Sequence, residues 1–194
     1  MSSESVTTRA RALDATVKLL EDQGPAAVRM ADIARSAGIS RQALYLHFPN
    51  RADLLVAATR HIDQRNDLDA RLAPSRAATG PARLDAYIAF WADYLPLIAG
   101  VGRALIALAD TDEAARLAWS DRMAAHREGC AAAIAALHSA GALAAHLTES
   151  RATDLLWMLL QLENWLHLTN TCGWSQADYL AVMQQSARDM LMKG

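Results

Sequence analysis

Along the first third of the chain, apolar residues recur at helical spacing and are interrupted by glycine and proline. Leu13, Val17 and Leu20 fall on one face at steps of four and three, which predicts a first helix from about Ser5 to Gln23. Gly24-Pro25 should stop it, glycine supplying a left-handed cap and proline refusing to continue. Met30, Ile33, Ala34 and Ala37 share a stripe and predict a short second helix that ends at Gly38. Ser40 suits the N-cap of a third, Arg41 to about His47, with Leu44 and Phe48 four apart on its buried side. Pro49 forces Phe48 out of helical geometry. Asn50, with Asp53 three residues on, then opens a fourth helix in the manner of a capping box. Leu54, Leu55, Ala58 and Ile62 form the apolar face of that helix.

Residues 73–82, APSRAATGPA, are small and unpatterned, and read as a loop and internal boundary. Helices follow over about 81–99, 101–109, 112–139, 149–171 and 176–192, the last capped by Ser175 with Asp178. Composition agrees with this all-helical reading. In 194 residues there are only 9 glycines and 5 prolines, while 53% of positions are hydrophobic, enough for a sizeable core. The expected fold class is all-α.

Net charge is −2, but it is unevenly spread. Residues 1–60 hold eight Lys/Arg against six acids, and the remainder eleven against fifteen. A mildly basic N-terminal module on an acidic body follows. The N-terminus lacks the apolar run of a secretory signal, and the apolar stretch Leu155–Leu160 is soon interrupted by Gln161, Glu163 and Asn164. No bilayer span and a cytoplasmic location are therefore expected. Cys130 and Cys172 read as reduced thiols. The six histidines show neither HxxxH nor HExxH, so no metal is expected, and no other cofactor is indicated. Without a phosphate loop, nucleophile elbow or ligand-spaced carboxylates, an enzyme is disfavoured.

A helix, a glycine-closed turn and a second helix form the layout whose second helix enters the major groove of DNA. In the stretch Gly38–Arg51, GISRQALYLHFPNR, the residues Ile39, Leu44 and Phe48 would pin that helix. Arg41, Gln42, Ala43, Tyr45 and His47 are left facing outward. Arginine pairs bidentately with guanine, glutamine with adenine, and alanine touches a thymine methyl. Tyr45, His47 and Arg51 suit phosphates.

The run Val28–Leu55, VRMADIARSAGISRQALYLHFPNRADLL, resembles the TetR family of transcriptional regulators. Ile33-Ala34, Ala37-Gly38-Ile39-Ser40, Leu44-Tyr45, His47-Phe48 and Asp53-Leu54 carry the likeness. It implies a helix-turn-helix DNA-binding domain over 1–50, with Ser40 in its DNA-binding set. A ligand-binding and dimerisation domain over 51–194 would follow, entered by a connecting helix of about 51–71. Two departures stand out. Arg29 occupies the cap of the second helix where the family has Ser or Thr, which weakens the cap by about 1 kcal/mol and frees Arg29 for a phosphate. Arg51 replaces the usual lysine at the start of the fourth helix.

The rest of the chain agrees with the family only in helix count and length. Helix 81–99 carries Leu84, Ile88, Trp91, Leu95 and Ile98 on one face beside Tyr87, Phe90 and Tyr94. This stripe is wide enough for burial on more than one side. Aromatic core and lined cavity are both open readings. The resemblance favours a cavity for an apolar or aromatic ligand among Trp91, Tyr94, Trp119, Met123 and Trp157, with Arg103, His126 and Asn164 as polar contacts. Glu163 and His167, four apart, are expected to pair with each other or to serve an interface. The resemblance also implies a homodimer through the last two helices, for which Leu156, Leu160, Leu180, Met183 and Leu191 offer apolar surface. The partners implied are thus a double-stranded DNA operator, a small-molecule effector and a second copy. A helical interaction protein that no longer binds DNA is the competing reading; the polar set on the third helix argues against it.

Overall fold

Local capping chemistry builds the N-terminal helices as the sequence predicts. The computed structural model describes residues 3–23 and 28–193, so the expected Gly24-Pro25 stop lies outside the described residues. Helix α1 covers Ser3–Gln23, α2 Met30–Ala37, α3 Arg41–His47 and α4 Arg51–Arg65. The Ser40 hydroxyl accepts the Ala43 N–H at 3.0 Å and starts α3. Asn50 accepts the Asp53 N–H and also donates its side-chain amide to the Asp53 carboxylate, both at 2.9 Å. Arg29 makes no side-chain cap at α2. Gly38 closes α2 at φ 62°, and its N–H bonds the Arg35 carbonyl. Its carbonyl accepts from Arg11 at 3.1 Å. A Cβ there would come within 2.7 Å of that guanidinium, which can swing aside, so it is the left-handed φ that favours glycine.

Two compact units arise, residues 1–66 with 100–122, and residues 67–99 with 123–194. In the first, α1 packs on α2, α3 and α4. Leu13, Val17, Leu20, Ile33, Leu44, Leu54 and Leu55 are almost wholly buried there. The second unit takes α5 (Leu68–Ala77), the first part of α6 (Gly80–Ala109) and the last part of α7 (Glu113–Ser139). It also holds α8 (Glu149–Leu159), α9 (Leu162–Leu166), a π-helical turn (His167–Thr171) and α10 (Gln176–Leu191). Asp85 on α6 pairs with Arg188 on α10 at 2.7 Å, and Gln176 bridges the Ala92 carbonyl and the Trp165 indole. The Ser175–Asp178 capping box expected at α10 is present. The described residues form no strand beyond one isolated bridge, Leu143 to Met192.

Several element boundaries differ from expectation. The fourth helix ends at Arg65 rather than near 71, because Asp67 takes a left-handed turn at φ 53° before α5. Most of the expected 73–82 loop is helix: α5 continues through Pro74 to Ala77 and α6 begins at Gly80. Alanine is the best helix former, so an unpatterned Ala-rich stretch stays helical once Ser75 is buried. Gly100 does not divide 81–109, since Leu95, Val101, Ala104 and Leu105 on either side of it are buried and outweigh its propensity cost of about 1 kcal/mol. Helix 149–171 is interrupted at Leu160–Gln161 and finishes as a π-helical turn. By length and composition α6 could cross a bilayer, which the sequence reading overlooked. Its buried Leu84, Ile88, Tyr94, Leu95 and Leu105 fit a core helix instead.

Candidate nucleic-acid interface and small-molecule site

Helix α3 is pinned from below and open above. Leu44 is fully buried and Phe48 nearly so, whereas Arg41, Gln42, Tyr45 and Leu46 are exposed and Ala43 and His47 partly so. The guanidinium of Arg9 lies 5.3 Å over the Phe48 ring, a cation–π contact that holds the far end of the helix. Ser40 is committed to its cap. Arg29 is exposed. Among the described residues, the exposed side chains on α3 are thus a guanidinium, an amide, a phenol and a leucine.

Leu46 was not legible as a surface residue. At 80% exposure it is the most exposed large apolar side chain described, one turn beyond Gln42 on the same stripe. Its neighbours in sequence, Leu44 and Phe48, are both buried, and the signal that separates it from them is helical phase: Leu46 lies two residues from either anchor.

Arg51 departs from expectation. Its Nε donates to the Val28 carbonyl at 2.5 Å and its Nη1 pairs with Asp112 at the start of α7. The side chain keeps only 22% exposure, so it braces the first unit instead of pointing outward. Burial of Asp112 raises its carboxyl, but the Ala115 N–H and the Arg51 guanidinium outweigh this and hold it below the usual carboxylate range. Arg60 with Asp121 and Arg122 with Asp63, each at 2.5 Å, repeat the bracing along α4.

The second unit gathers part of the expected ligand set. The Trp91 ring lies 4.1 Å from the His126 ring, with Phe90, Tyr94 and Tyr87 rings at 5.3, 6.0 and 6.3 Å from Trp91. His126 is only 4% exposed, and burial lowers its pKa to about 3, so the imidazole is neutral. Tyr87 donates to the His126 carbonyl at 3.2 Å and accepts a weak bond from Cys130. Burial pushes the Cys130 thiol up to about 12 and raises Tyr87 well above its ordinary value, so both stay protonated. Met123 and Trp157 are half-buried members of the same unit. Arg103 and Trp119 belong to the first unit, and Arg103 is exposed.

Other expected roles fail on geometry. Asn164 is exposed and gives its amide to the Met158 carbonyl at 2.6 Å, satisfying the helix break after α8. His167 does not meet Glu163; its Nε2 sits 3.6 Å from Cys172 Sγ, since the π-helical turn alters the usual four-residue register. Leu156, Leu160, Met183 and Leu191 are buried within the single chain and have no surface to offer a partner. Met158 and Val182, at 49% and 40% exposure, are the large apolar residues left outward on α8 and α10.

These features can be set beside known proteins. The sequence pattern of bacterial regulatory proteins of the tetR family matches residues 12–58, which span α1 to α4. Over these residues the chain carries the TetR-family pattern. It is 35% identical over 78 residues to the HTH-type transcriptional regulator TtgR of Pseudomonas putida, 40% of this chain and 37% of that protein. It is also 32% identical over 108 residues to the HTH-type transcriptional repressor LfrR of Mycolicibacterium smegmatis, 56% of each chain. The matched part of this chain thus spans little more than a third to just over half of these relatives' lengths. A transcriptional regulator from Saccharomonospora viridis, solved in complex with choline, superposes with a TM-score of 0.75 over 100% of both chains. At 19% identity that likeness establishes the shared fold.

Proposed function

We propose that this chain is a one-component transcriptional regulator of the TetR family, cytoplasmic, that binds a near-palindromic operator as a homodimer. It represses there and is released by a small apolar or aromatic molecule. The observation that carries the reading is α3 itself, which shows Arg41, Gln42 and Tyr45 to solvent while Leu44 and Phe48 lock it to the domain. In this reading Arg41 and Gln42 meet base edges and Ala43 a thymine methyl. Tyr45, His47 and Arg29 meet phosphates. Arg51 is assigned to bracing, in keeping with its bonds to Val28 and Asp112. The DNA-binding domain is residues 1–50, and the rest serves ligand binding and dimerisation.

A single helix of this length reads few bases, so two copies must sit in successive major-groove turns, about 34–36 Å apart. Met158 and Val182 on α8 and α10 mark the dimer face. The repressor named among the relatives and the choline complex among the solved structures support repression and a small effector respectively. A ligand changes DNA affinity only if it binds one arrangement of the dimer better than the other.

The test is selection of bound fragments from random DNA, followed by titration of Arg41→Ala on the selected site. The variant is expected to fold normally, lose about 1–3 kcal/mol and relax at one position per half-site. Unchanged operator selection by Arg41→Ala would refute the assignment of α3 as the reading helix.

A further inference from the structure

Among the described residues of the second unit, buried side-chain atoms of Arg83, Trp91, His126, Trp157 and Tyr179 lack a hydrogen-bond partner, and two of them are neighbours. The Nε1–H of Trp91 and the Nε2 of His126 are shielded from solvent; His126 Nε2 has no partner, and Trp91 Nε1–H has only the Tyr87 phenol near it, outside good hydrogen-bond geometry. They are neighbours, with ring centroids 4.1 Å apart. Buried polar atoms are nearly always satisfied, so two adjacent orphans call for a common partner from outside the chain. The walls around Trp91 are flat: Phe90 and Tyr94 lie beside it, and Tyr87 is already engaged with the His126 carbonyl. Aromatic faces of this kind favour planar molecules.

Charge narrows the ligand further. Of the acids of this unit on α6 and α8, Asp85 pairs with Arg188, Asp93 with Arg71 and Asp154 with Arg127, and Glu149 meets His138. His126 stays neutral through burial, so it offers no countercharge to an anion. A quaternary ammonium would enjoy the aromatic faces but has no lone pair to accept the Trp91 N–H. A neutral oxygen can accept from an indole N–H and also share a hydrogen bond with an imidazole nitrogen.

We propose that Trp91 and His126 are the polar anchor of a site for a neutral, planar aromatic molecule bearing one hydroxyl or carbonyl oxygen. That oxygen accepts from Trp91 Nε1–H and shares a hydrogen bond with His126 Nε2, the direction depending on the imidazole tautomer. The assignment deepens the ligand-responsive reading above and rests on it for its regulatory meaning.

Calorimetric titration of the full chain with four ring-matched probes tests it: p-cresol, toluene, p-toluate and benzyltrimethylammonium. The phenol is expected to bind about tenfold or more tightly than toluene, because the site's polar atoms go unpaired with the hydrocarbon. The carboxylate and the ammonium should be weaker than the phenol. Trp91→Phe and His126→Phe should bring p-cresol down to the affinity of toluene, whereas His126→Gln, which keeps a donor and an acceptor, should retain part of the preference. Equal affinity of p-cresol and toluene for the wild type, tightest binding by either ion, or no binding of p-cresol at millimolar concentration overturns the proposal, and none of these needs a variant to fold. Since the readout is binding and not DNA release, failure here leaves the DNA-reading assignment standing. A protein that binds p-cresol as expected but selects no DNA overturns only the regulator reading.

Discussion

Helix α3 and the Trp91–His126 cluster place their polar groups in opposite ways. On α3 the polar side chains stand in water above a buried anchor, so the folded protein loses nothing by displaying them. In the cluster an indole N–H and an imidazole nitrogen are buried without partners, a state that costs about 1–3 kcal/mol for each group. A surface that reads a charged polymer can wait solvated, because phosphates and base edges arrive with their own hydrogen-bonding groups. A buried site cannot, and its orphaned atoms are a standing cost that a ligand's oxygen would relieve.

The sharpest break in that contrast is expected from Leu44→Ala. It removes the anchor and leaves the outward side chains in place, and should lower the stability of the first unit by about 2–5 kcal/mol. Denaturant unfolding checks it. A loss close to zero would mean that α3 is not held through Leu44, and that its outward pattern has another origin.

Gly129→Ala should cost about 1–3 kcal/mol by overpacking. A Cβ there would overlap the Tyr87 hydroxyl, whose bond to the His126 carbonyl supports the cluster. Thermal unfolding of Gly129→Ala beside Gly129→Ala/Tyr87→Phe separates this clash from helix propensity, since alanine is otherwise the better helix former. If removing the hydroxyl rescues nothing, the contact is not what limits the site.

His126 links the cluster to pH. Its pKa is about 3 when folded and near 6.5 when unfolded. Between these values the unfolded chain takes up a proton that the folded protein refuses. The contribution of neutral His126 is therefore complete above about pH 6.5 and drains away as pH falls toward 3, by about 1.4 kcal/mol per unit. Stability measured from pH 7 to 5 should fall more steeply for the wild type than for His126→Phe. Parallel curves would show that His126 is not buried as a neutral group.

The smallest effect belongs to Leu46. If it touches a thymine methyl, replacing that thymine by deoxyuridine should cost the wild type about 0.5–1 kcal/mol, roughly one buried methyl. Leu46→Ala should be indifferent to the same change. Equal sensitivity in both proteins removes Leu46 from the reading surface.

The sequence alone determined the parts that depend on nearest neighbours along the chain. The limits of α2 and α3, the caps at Ser40, Asn50 and Ser175, and the burial of Leu44 and Phe48 follow from helical period and capping chemistry within four residues. Tertiary structure decided what lies opposite each side chain. Nothing near Arg51 in sequence announces Asp112, yet their pairing turns an expected phosphate contact into a brace. Leu156, Leu160, Met183 and Leu191 have the periodicity of an interface and of a core alike, and only packing within the chain assigned them to the core. Gly100 and Pro74 carry breaker chemistry, but the burial of Leu95, Val101 and Ser75 kept both helices intact. Trp91 and His126 could each be named as candidates, but only the fold could bring their rings to 4.1 Å and leave both nitrogens unanswered. Propensity and capping act over a few residues, whereas desolvation and pairing depend on whatever the fold brings across the gap.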